Sequence, residues 1–270
     1  MSSDQSDNPH DPVVALPPVA ASGCRAVIVM PCYNEEQRLD QAALLRFVAE
    51  HPDDRLLLVD DGSRDGTLAV LHAVAERGAG RVEVLALARN GGKAEAVRAG
   101  MLRAATLRPR YFGYWDADLA TPLDAVDDFL TLIEAADDVD LVLGSRVKLL
   151  GRSIERNPVR HLLGRVFATF ASWTLRLPVY DTQCGAKLLR CREPVVALFR
   201  EPFAVTWVFD VELIARYLRS EAGGQIHELP LQAWRDVPGS KVRPHHFVLA
   251  IRELAVVAHQ HRRYRRLPRR

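Results

Sequence analysis

The stretch Tyr111 to Pro122, YFGYWDADLATP, joins an apolar run to two carboxylates, Asp116 and Asp118, that are separated by one small residue. The apolar run predicts a buried strand, and its carboxyl end is where an open α/β sheet binds ligands. Carboxylate oxygens at that edge suit a divalent cation that a bound diphosphate also contacts. Taken alone, the pattern fits equally well a solvated loop in which Asp118 precedes a helix that begins near Thr121 and Pro122. The rest of the chain favours the first interpretation.

Apolar runs alternate with amphipathic stretches along most of the chain. This alternation predicts an α/β fold in which a mainly parallel, Rossmann-like sheet has right-handed crossovers and helices on both faces. The predicted strands span residues 26–30, 56–59, 82–87, 111–115 and 141–143, and the predicted helices span 35–50, 66–77, 93–106 and 123–136. Polar motifs follow three of the strands, namely PCYNE (31–35), DDGSRDGT (60–67) and DAD (116–118). Because the carboxyl ends of parallel strands share one edge of a sheet, the motifs predict a single site.

The motif DDGSRDGT begins like an EF-hand loop, but its twelfth position is His72 instead of a glutamate, which excludes a calcium loop of that type. A capped turn explains residues 63–65, whereas Asp60 follows a buried strand and can accept a hydrogen bond from a base or ribose. The run NGGK at 90–93 opens a predicted helix whose N–H groups, with the charge of Lys93, suit a phosphate. It lacks Walker A spacing, and the missing GxGxxG fingerprint argues against a dehydrogenase.

The 270 residues, of which 48% are hydrophobic, are enough for one large domain, which we assign to residues 24–244. Residues 1–23 contain four prolines and no Lys or Arg, which is typical of a disordered tail and not of a signal peptide. No run reaches the roughly 18 uninterrupted apolar residues of a membrane span. The four cysteines form no CxxC pair and are expected to be reduced. These features predict a cytoplasmic protein.

Basic residues concentrate in segments that also carry apolar side chains at helical spacing. The net charge is +2, yet residues 241–270 hold nine Lys or Arg and one acid, Glu253. Residues 152–176 and 245–270 each predict a basic amphipathic helix that suits an anionic membrane surface, with the protein peripheral on its cytoplasmic face. The alternative is that these helices pack on the core. Nucleic acid is not an expected partner, because no nucleic-acid-binding signature accompanies the charge.

Eight motifs occur along the chain: PCYNEE (31–36), VDDGSRDGT (59–67), NGGKAEAVRAGM (90–101), DADLATP (116–122), GSR (144–146), DTQCGAKLL (181–189), FDVEL (209–213) and PGSKV (238–242). Their order and spacing resemble those of family 2 glycosyltransferases of the GT-A fold. The branch that makes polyprenyl-phosphate sugars is the most similar, and DTQCG, FDVEL and GSK resemble dolichyl-phosphate β-glucosyltransferases. Two departures argue against mannose and against stable membrane anchoring. Ala120 stands where mannosyl-phosphate synthases have Gln, and the C-terminal transmembrane helices of many relatives are missing.

The resemblance implies roles for individual residues. Contacts with the base and ribose of a nucleotide-sugar donor would come from Pro31, Tyr33, Glu35 and Asp60 or Asp61. Asp116 and Asp118 would hold Mg²⁺ or Mn²⁺ on the diphosphate, and Arg146 would face the acceptor or donor phosphate. Gln183, Asp210 and Glu212 would lie near the sugar, and Lys241 would belong to a closing loop. Plain structural alternatives exist: a surface ion pair for Arg146, a turn for Gln183, a helix cap for Asp210 and a core aromatic for Tyr33.

These roles imply an inverting, metal-dependent transfer of a hexose, with glucose from UDP-glucose as the first choice, to a polyprenyl phosphate lipid. A lipid phosphate is already mostly dianionic at neutral pH, so cationic positioning by Arg146 and nearby Arg or Lys would replace a general base. A hydroxyl acceptor would instead require a carboxylate base, either Asp210 or Glu212. A further alternative is a non-catalytic module that binds a sugar nucleotide.

Overall fold

The computed structural model describes residues 23–156, 158–237 and 245–265. The strands in these ranges are β1 (Ala26–Cys32), β2 (Asp54–Asp60), β3 (Val82–Ala86), β4 (Tyr111–Trp115), β5 (Val139–Ser145), β6 (Ser153–Glu155), β7 (Ala186–Arg190), β8 (Gln225–Pro230) and β9 (Ala233–Arg235). The helices are α1 (Gln41–Glu50), α2 (Thr67–Arg77), α3 (Lys93–Thr106), α4 (Ala125–Ala135), α5 (Pro158–Leu175), α6 (Glu193–Val196), α7 (Phe209–Arg219) and α8 (His245–Arg265). Every strand and helix predicted from the alternating pattern is present.

Seven of the described strands form one sheet in the order β3-β2-β1-β4-β7-β5-β8. β7 runs antiparallel to β4 and β5, and the other neighbouring pairs are parallel. Along β1, Val27 and Val29 pack in one hydrophobic cluster, whereas Ala26, Ile28 and Met30 pack in a second. Because successive side chains of a strand point to opposite faces, both faces of the sheet are buried. The predicted mainly parallel α/β sheet with helices on both faces is confirmed.

The register of the sheet brings several chain segments to one edge. β1 lies between β2 and β4 and is parallel to both, and its last residue, Cys32, pairs with Asp60 at the end of β2. The three predicted polar motifs therefore lie side by side. β7 runs the other way, so its first residue, Ala186, pairs with Trp115 at the end of β4. The loop 181–185 consequently reaches the same edge.

Three predicted helix boundaries are wrong. The helix predicted at 152–176 begins at Pro158, because the residues before it form β6 and pair with β9. Proline is tolerated at a first helical position, where its missing N–H would have had no helical partner. α1 begins at Gln41 instead of residue 35, since the side chain of Asp40 accepts a hydrogen bond from an N–H of its first turn. α4 begins at Ala125, because turns fill the segment after the DAD motif.

α8 packs against α5 and α7. Ala250, Leu254 and Val257 of this helix are buried in the core, whereas Ile251, another apolar residue of the predicted amphipathic helix at 245–270, is exposed. The apolar residues of α8 are therefore divided between core and surface. The alternative that this helix packs on the core applies to the buried residues only. None of the helices in the described ranges combines the length and the apolar character that a membrane span requires. The predicted N-terminal tail, up to residue 22, and residues 266–270 lie outside the described part of the chain.

Candidate active site

Asp116 lies at the end of β4, against the first residue of α3. Its N–H donates to the carbonyl of Gly185 (2.9 Å). A side chain at position 185 would place a Cβ 1.9 Å from Oδ2 of Asp116, so the glycine makes room for the carboxylate. On the other side, Nζ of Lys93 lies 2.5 Å from Oδ1 of Asp116, and both side chains are partly exposed. The pair therefore faces solvent at the edge where the strands end.

Asp118, the second carboxylate of the DAD motif, accepts a hydrogen bond from the N–H of Ala120 (3.0 Å). Burial raises the pKa of Asp118, and the negative charge of Asp116 raises it further. Burial lowers the pKa of Lys93, but the charges of Asp116, Asp210 and Asp118 outweigh burial and raise it overall. The carboxylates of Asp116 and Asp118 thus repel each other, and both stabilise the positive charge of Lys93 at this edge.

The two carboxylates of the DAD motif fit the expected divalent cation by donor type. Across the residues that the structure describes, no group of three or more His, Cys, Asp or Glu side chains is arranged to hold an ion. Mg²⁺, however, commonly takes one or two carboxylates and completes its shell with water and substrate phosphates. Asp116 and Asp118 therefore fit a cation that binds together with a diphosphate.

Asp61 fixes the loop that leads into α3. Its two carboxylate oxygens accept hydrogen bonds from the N–H groups of Gly91 (2.7 Å) and Gly92 (2.9 Å), and Oδ2 also from the side-chain amide of Asn90 (3.0 Å). Gly92 has a φ of 84°, in the left-handed region that favours glycine. Asp61 was predicted as one of two candidates for a nucleotide contact. In the structure its oxygens are engaged in the loop, and it positions Lys93 at the start of the helix.

The remaining predicted nucleotide contacts line the ends of β1 and β2. Asp60 is buried, and its two oxygens lie 3.3 and 3.4 Å from a backbone N–H of the following turn. The N–H of Glu35 donates to a threonine hydroxyl at the start of α2 (2.8 Å). Pro31 and Tyr33 are partly exposed beside them, so Tyr33 is not a fully buried core aromatic. The structure brings the four residues together, and their contacts with a nucleotide stay a prediction.

Asp210, in the first turn of α7, belongs to a buried charge network that the sequence did not reveal. Its Oδ1 accepts hydrogen bonds from Nζ of Lys187 (2.6 Å) and from the hydroxyl of Tyr114 (2.5 Å). Lys187 is fully buried in β7 and also donates to the carbonyl of Cys184 (2.7 Å). Burial raises the pKa of Tyr114 and the charge of Asp210 raises it further, so the phenol stays protonated. The helix-cap alternative for Asp210 is wrong, because Val208 occupies the N-cap position.

This network connects the DAD motif to α7. Lys93 is attracted by Asp116 and by Asp210, and its Nζ lies 6.0 Å from the ring centroid of Phe209. Positive and negative groups therefore alternate from Asp116 through Lys93 and Asp210 to Lys187. An oxygen that already accepts two hydrogen bonds has little capacity left to take a proton from a substrate. The contacts of Oδ1 thus suit Asp210 to holding the positive charges of Lys187 and Lys93 in place more than to acting as a general base.

Removing the charge of Lys187 should destabilise the fold. The variant Lys187→Met keeps the length of the side chain but leaves the Asp210 carboxylate buried without its ammonium partner. Breaking such a buried pair costs about 3–5 kcal/mol of the free energy of unfolding. The thermal midpoint should fall by roughly 10 °C for a domain of this size. Lys148→Met, at an exposed position, is the matched control. Equal midpoints for the two variants in calorimetry would show that the buried pair is not needed.

Glu212 lies two residues from Asp210, which places the two side chains about 200° apart around α7. Its carboxylate accepts hydrogen bonds from the N–H groups of Ala204 (2.9 Å) and Val205 (3.1 Å) and from the guanidinium of Arg216 (2.8 and 3.1 Å). These contacts engage both oxygens. The structure thus gives Glu212 the role of supporting the loop before α7, and its position near the sugar stays a prediction.

Glu253 of α8 extends the same arrangement. Its carboxylate accepts hydrogen bonds from the N–H groups of Thr206 (3.2 Å), Trp207 (2.8 Å) and Val208 (3.0 Å), and from the hydroxyl of Thr206 (3.0 Å). Two glutamates thus bind five consecutive N–H groups, from residue 204 to residue 208. Backbone donors of the loop before α7 would otherwise lack protein partners. α8 therefore fixes the beginning of the helix that carries Asp210.

We expect Glu253→Ala to lower the free energy of unfolding by about 1–3 kcal/mol, the cost of leaving backbone donors without a partner. The free energy of unfolding of Glu253→Gln should lie between those of Glu253→Ala and the wild type, because an amide oxygen still accepts from some of the donors. Urea unfolding measures the differences, with Arg252→Ala at the exposed neighbouring position as control. A loss for Arg252→Ala as large as that for Glu253→Ala would contradict the role of Glu253 in fixing the loop before α7.

Arg146 forms a largely buried ion pair with Asp181. Its Nε and Nη2 donate to the two carboxylate oxygens at 2.6 and 2.8 Å, and the side chains are 16% and 8% exposed. Burial raises the pKa of Asp181, but the charge and hydrogen bonds of Arg146 lower it to about 2. Glu228 of β8 fixes the loop by accepting from the N–H groups of Tyr180 and Asp181 (2.8 Å each). The pair is therefore ionised at neutral pH and held in place, unlike a surface ion pair.

Arg156 brings a second guanidinium to the same place. Its Nη1 donates to the carbonyl of Arg146 (3.4 Å), and the two guanidinium groups lie 5.8 and 5.3 Å from the ring centroid of Trp234. Burial lowers the pKa of Arg156, and the charge of Arg146 lowers it further. Among the described residues, no carboxylate forms an ion pair with Arg156. Asp181 neutralises Arg146, and Arg165, which donates to the carbonyl of Tyr180 (2.7 Å), balances the nearby carboxylate of Glu228. Arg156 therefore leaves this part of the site with a net positive charge.

Gln183 lies two residues after Asp181. Its backbone forms a turn, and its side-chain amide lacks a hydrogen-bond partner among the described residues. Its N–H donates to Oδ1 of Asp181 (3.1 Å), as the turn alternative predicts. Its Nε2 and the hydroxyls of Ser145 and Thr182 are buried, and these three atoms have no hydrogen-bond partner within the described part of the chain. Buried polar groups of this kind are normally satisfied by water or by a ligand. The segment is therefore suited to bind a polar substrate group.

The profile of the family described as Glycosyl transferase family 2 matches residues 27–200. The chain belongs to glycosyl transferase family 2. Dolichyl-phosphate beta-glucosyltransferase of Drosophila melanogaster is 35% identical over 233 residues, which cover 80% of this chain and 69% of that protein. The protein of the same name from Homo sapiens is 32% identical over 235 residues, with the same two coverages. This family 2 protein is accordingly a glycosyltransferase, as the resemblance of its motifs predicted.

Solved structures show the fold of this family 2 enzyme independently. Glucosyl-3-phosphoglycerate synthase from Mycobacterium tuberculosis, in complex with uridine-diphosphate, superimposes with a TM-score of 0.61 at 18% identity. The match covers 88% of this chain and 80% of that chain. At this identity the similarity concerns the fold alone, and it confirms the GT-A expectation.

The site residues that follow strands can be recognised from the sequence, whereas those that act through long-range contacts cannot. The residues of this second kind are Tyr114, Lys187, Asp181, Arg156 and Glu253. Lys187 and Asp181 lie within the quoted motif DTQCGAKLL, which is a signal that could have drawn attention to them. Lys241, predicted to lie on a closing loop, falls outside the described residues.

Proposed function

We propose that this glycosyltransferase transfers glucose from UDP-glucose to polyprenyl phosphate, with inversion at the anomeric carbon, on the cytoplasmic face of a membrane. The observation that carries the proposal is the guanidinium of Arg156, which has no described carboxylate partner and adjoins the neutralised Arg146 and Asp181 pair. A net positive charge at this place suits a phosphate acceptor. The names of the similar proteins from Drosophila melanogaster and Homo sapiens support the same class of acceptor and sugar.

The donor is assigned to the edge formed by β1, β2 and β4. The base and ribose would contact Asp60 and Tyr33, and the diphosphate would lie near the start of α3, where N–H groups and Lys93 favour an anion. Asp116 and Asp118 would hold Mg²⁺ or Mn²⁺ together with the diphosphate, and that cation would neutralise charge on the leaving group. The UDP named in the complex of the structurally similar synthase supports a uridine donor.

The acceptor chemistry follows from the charges of the site. A phosphate oxygen of the lipid attacks the anomeric carbon, the bond from that carbon to the donor diphosphate breaks, and its electron pair leaves with UDP. A phosphate monoester, with a second pKa of about 6, is mostly dianionic at neutral pH, so it needs no residue to remove a proton. Arg146 and Arg156 would orient it, which agrees with an Asp210 whose Oδ1 is occupied by Lys187 and Tyr114.

A hydroxyl acceptor is the second candidate. The observation in its favour is the position of Asp210, which is close enough to the site to raise the pKa of Lys93. In that case the second carboxylate oxygen of Asp210 would accept the proton from the hydroxyl.

Purified protein with polyprenyl phosphate and a panel of labelled UDP and GDP sugars tests the proposal. We expect label to enter the butanol-extractable lipid fraction with UDP-glucose, with excess Mg²⁺ or Mn²⁺ present. Polyprenol, which has the same chain and a hydroxyl in place of the phosphate, is the matched control. Transfer to polyprenol but not to its phosphate would establish the second candidate instead. Nucleotide binding without transfer to any acceptor would show that the protein is a non-catalytic module that binds a sugar nucleotide.

A further inference from the structure

One side of α5 is apolar and exposed. Consecutive residues of a helix are about 100° apart, which places the exposed apolar side chains of α5 within one sector of about 100°. They form what we term the α5 face, which consists of Leu162, Leu163, Val166, Phe170 and Trp173. Leu162 and Trp173 are 66% and 70% exposed. The opposite side of the helix is buried in the core through Ala171 and Leu175. A contiguous apolar patch of this kind marks an interaction surface.

The loop between β5 and β6 adds two exposed apolar side chains, Leu149 and Leu150, and Leu150 is completely exposed. The loop turns at Gly151, which has a φ of 80°. Its neighbour Lys148 is exposed as well. The loop begins directly after Arg146, so its apolar tip lies close in sequence to the proposed acceptor site.

The surroundings of the α5 face are cationic. Residues 141–181 contain seven Lys or Arg and two acids, Glu155 and Asp181, and Asp181 neutralises only Arg146. A symmetric dimer formed through this face would bring the same positive charge against itself. Anionic lipid headgroups would instead neutralise the charge while the acyl region receives the apolar side chains. The charge therefore selects an anionic bilayer over a second copy of the chain.

α5 also connects this face to the proposed acceptor site. On α5, Arg165 donates to the carbonyl of Tyr180 (2.7 Å), and its guanidinium lies 3.7 Å from the ring centroid of Tyr180. The next residue, Asp181, forms the ion pair with Arg146. Arg156, which contacts Arg146, lies two residues before the helix. A phosphate bound at these arginines would have α5 beside it.

We propose that the α5 face, together with Leu149 and Leu150, inserts into the interface of an anionic lipid bilayer and presents the acceptor site to it. This inference rests on the proposed function, because a lipid acceptor has to reach Arg146 and Arg156 from a membrane. Trp173 suits the headgroup level, where tryptophan is enriched. The docking surface is thus α5 and the neighbouring loop, and α8, whose Leu254 is buried, has a supporting position.

Sedimentation of the full-length protein with vesicles tests the docking surface without substrate. The vesicles contain phosphatidylcholine alone or with phosphatidylglycerol, and neither polyprenyl phosphate nor nucleotide is added. We expect binding to the anionic vesicles, weakened by salt, and at least about a tenfold lower partition coefficient for Leu162→Glu combined with Phe170→Glu. Ala69→Glu combined with Ala73→Glu, at exposed positions of α2, adds the same charge and should change binding less than about twofold.

Quenching by brominated lipids reports insertion directly. Trp173→Phe should remove most of the quenching of the protein fluorescence while the protein still sediments with the vesicles. Unchanged binding of the Leu162 and Phe170 double variant would overturn the proposal. So would a dimer in light scattering that the same double variant dissociates, because the face would then join two copies. Transfer to a short, water-soluble prenyl phosphate is measured separately. Its absence in the wild type would refute the proposed function, while vesicle binding alone decides the docking surface.

Discussion

Asp116→Asn and Asp118→Asn should each lower turnover by roughly two to four orders of magnitude, because each removes a negative charge from the two carboxylates that would hold the cation. Within the described chain, the strand that precedes them is buried, and the substitutions leave its packing untouched. The side chain of Asp116 is partly exposed and Asn has nearly the same shape, so the fold should persist. Transfer of labelled glucose at saturating donor, alongside thermal unfolding of each variant, measures both effects.

Excess EDTA should abolish the activity of the wild type, and added Mg²⁺ or Mn²⁺ should restore it. Asp124→Asn, at an exposed position just ahead of α4, is the matched control and should keep wild-type turnover. Full activity of either DAD variant, or of the wild type in EDTA, would refute the assignment of a cation to these carboxylates.

Arg146→Ala should reduce transfer more than Asp210→Asn if a lipid phosphate is the acceptor. In that case the guanidinium would interact with the phosphate, whereas a dianionic phosphate has no proton for a carboxylate to take. Removing a charge-assisted contact of this kind costs about 1.5–3 kcal/mol, which corresponds to a loss of roughly tenfold or more. The initial rates of the two variants on polyprenyl phosphate decide the order. A larger loss for Asp210→Asn, together with transfer to a soluble alcohol, would favour the hydroxyl acceptor.

The ion pair with Asp181 requires a control for folding, because Arg146→Ala leaves a buried carboxylate unpaired. The double variant Arg146→Ala with Asp181→Ala removes both charges and should recover much of the lost stability without recovering activity. Arg156→Ala leaves no described carboxylate unpaired and should raise the KM for the lipid phosphate. If the double variant regained full transfer, the effect of Arg146→Ala would have been structural.

The parts of the molecule that the sequence predicted depend on local patterns. β4 was predicted because an apolar run precedes the DAD motif, and the helix at 93–106 because its pattern is amphipathic. β7 was not predicted, since a central strand with a lysine in it contradicts the apolar pattern. The strand is tolerated because Asp210, 23 residues further along the chain, accepts a hydrogen bond from Lys187. Contacts over such separations leave no periodic signal.

The sequence by itself determined the family, the order of strands and helices from β1 to β5, and the edge of the sheet at which the polar motifs meet, because hydrophobic period and strand ends are local properties. Only the tertiary structure decided which charges remain available. It engages Asp61 with the loop before α3 and Glu212 with Arg216, and it neutralises Arg146 with Asp181 across 35 residues of chain. The sequence records an Asp, Glu or Arg identically whether its side chain is paired or not. Its partner is set by the folded backbone, which alone brings distant segments within hydrogen-bond distance.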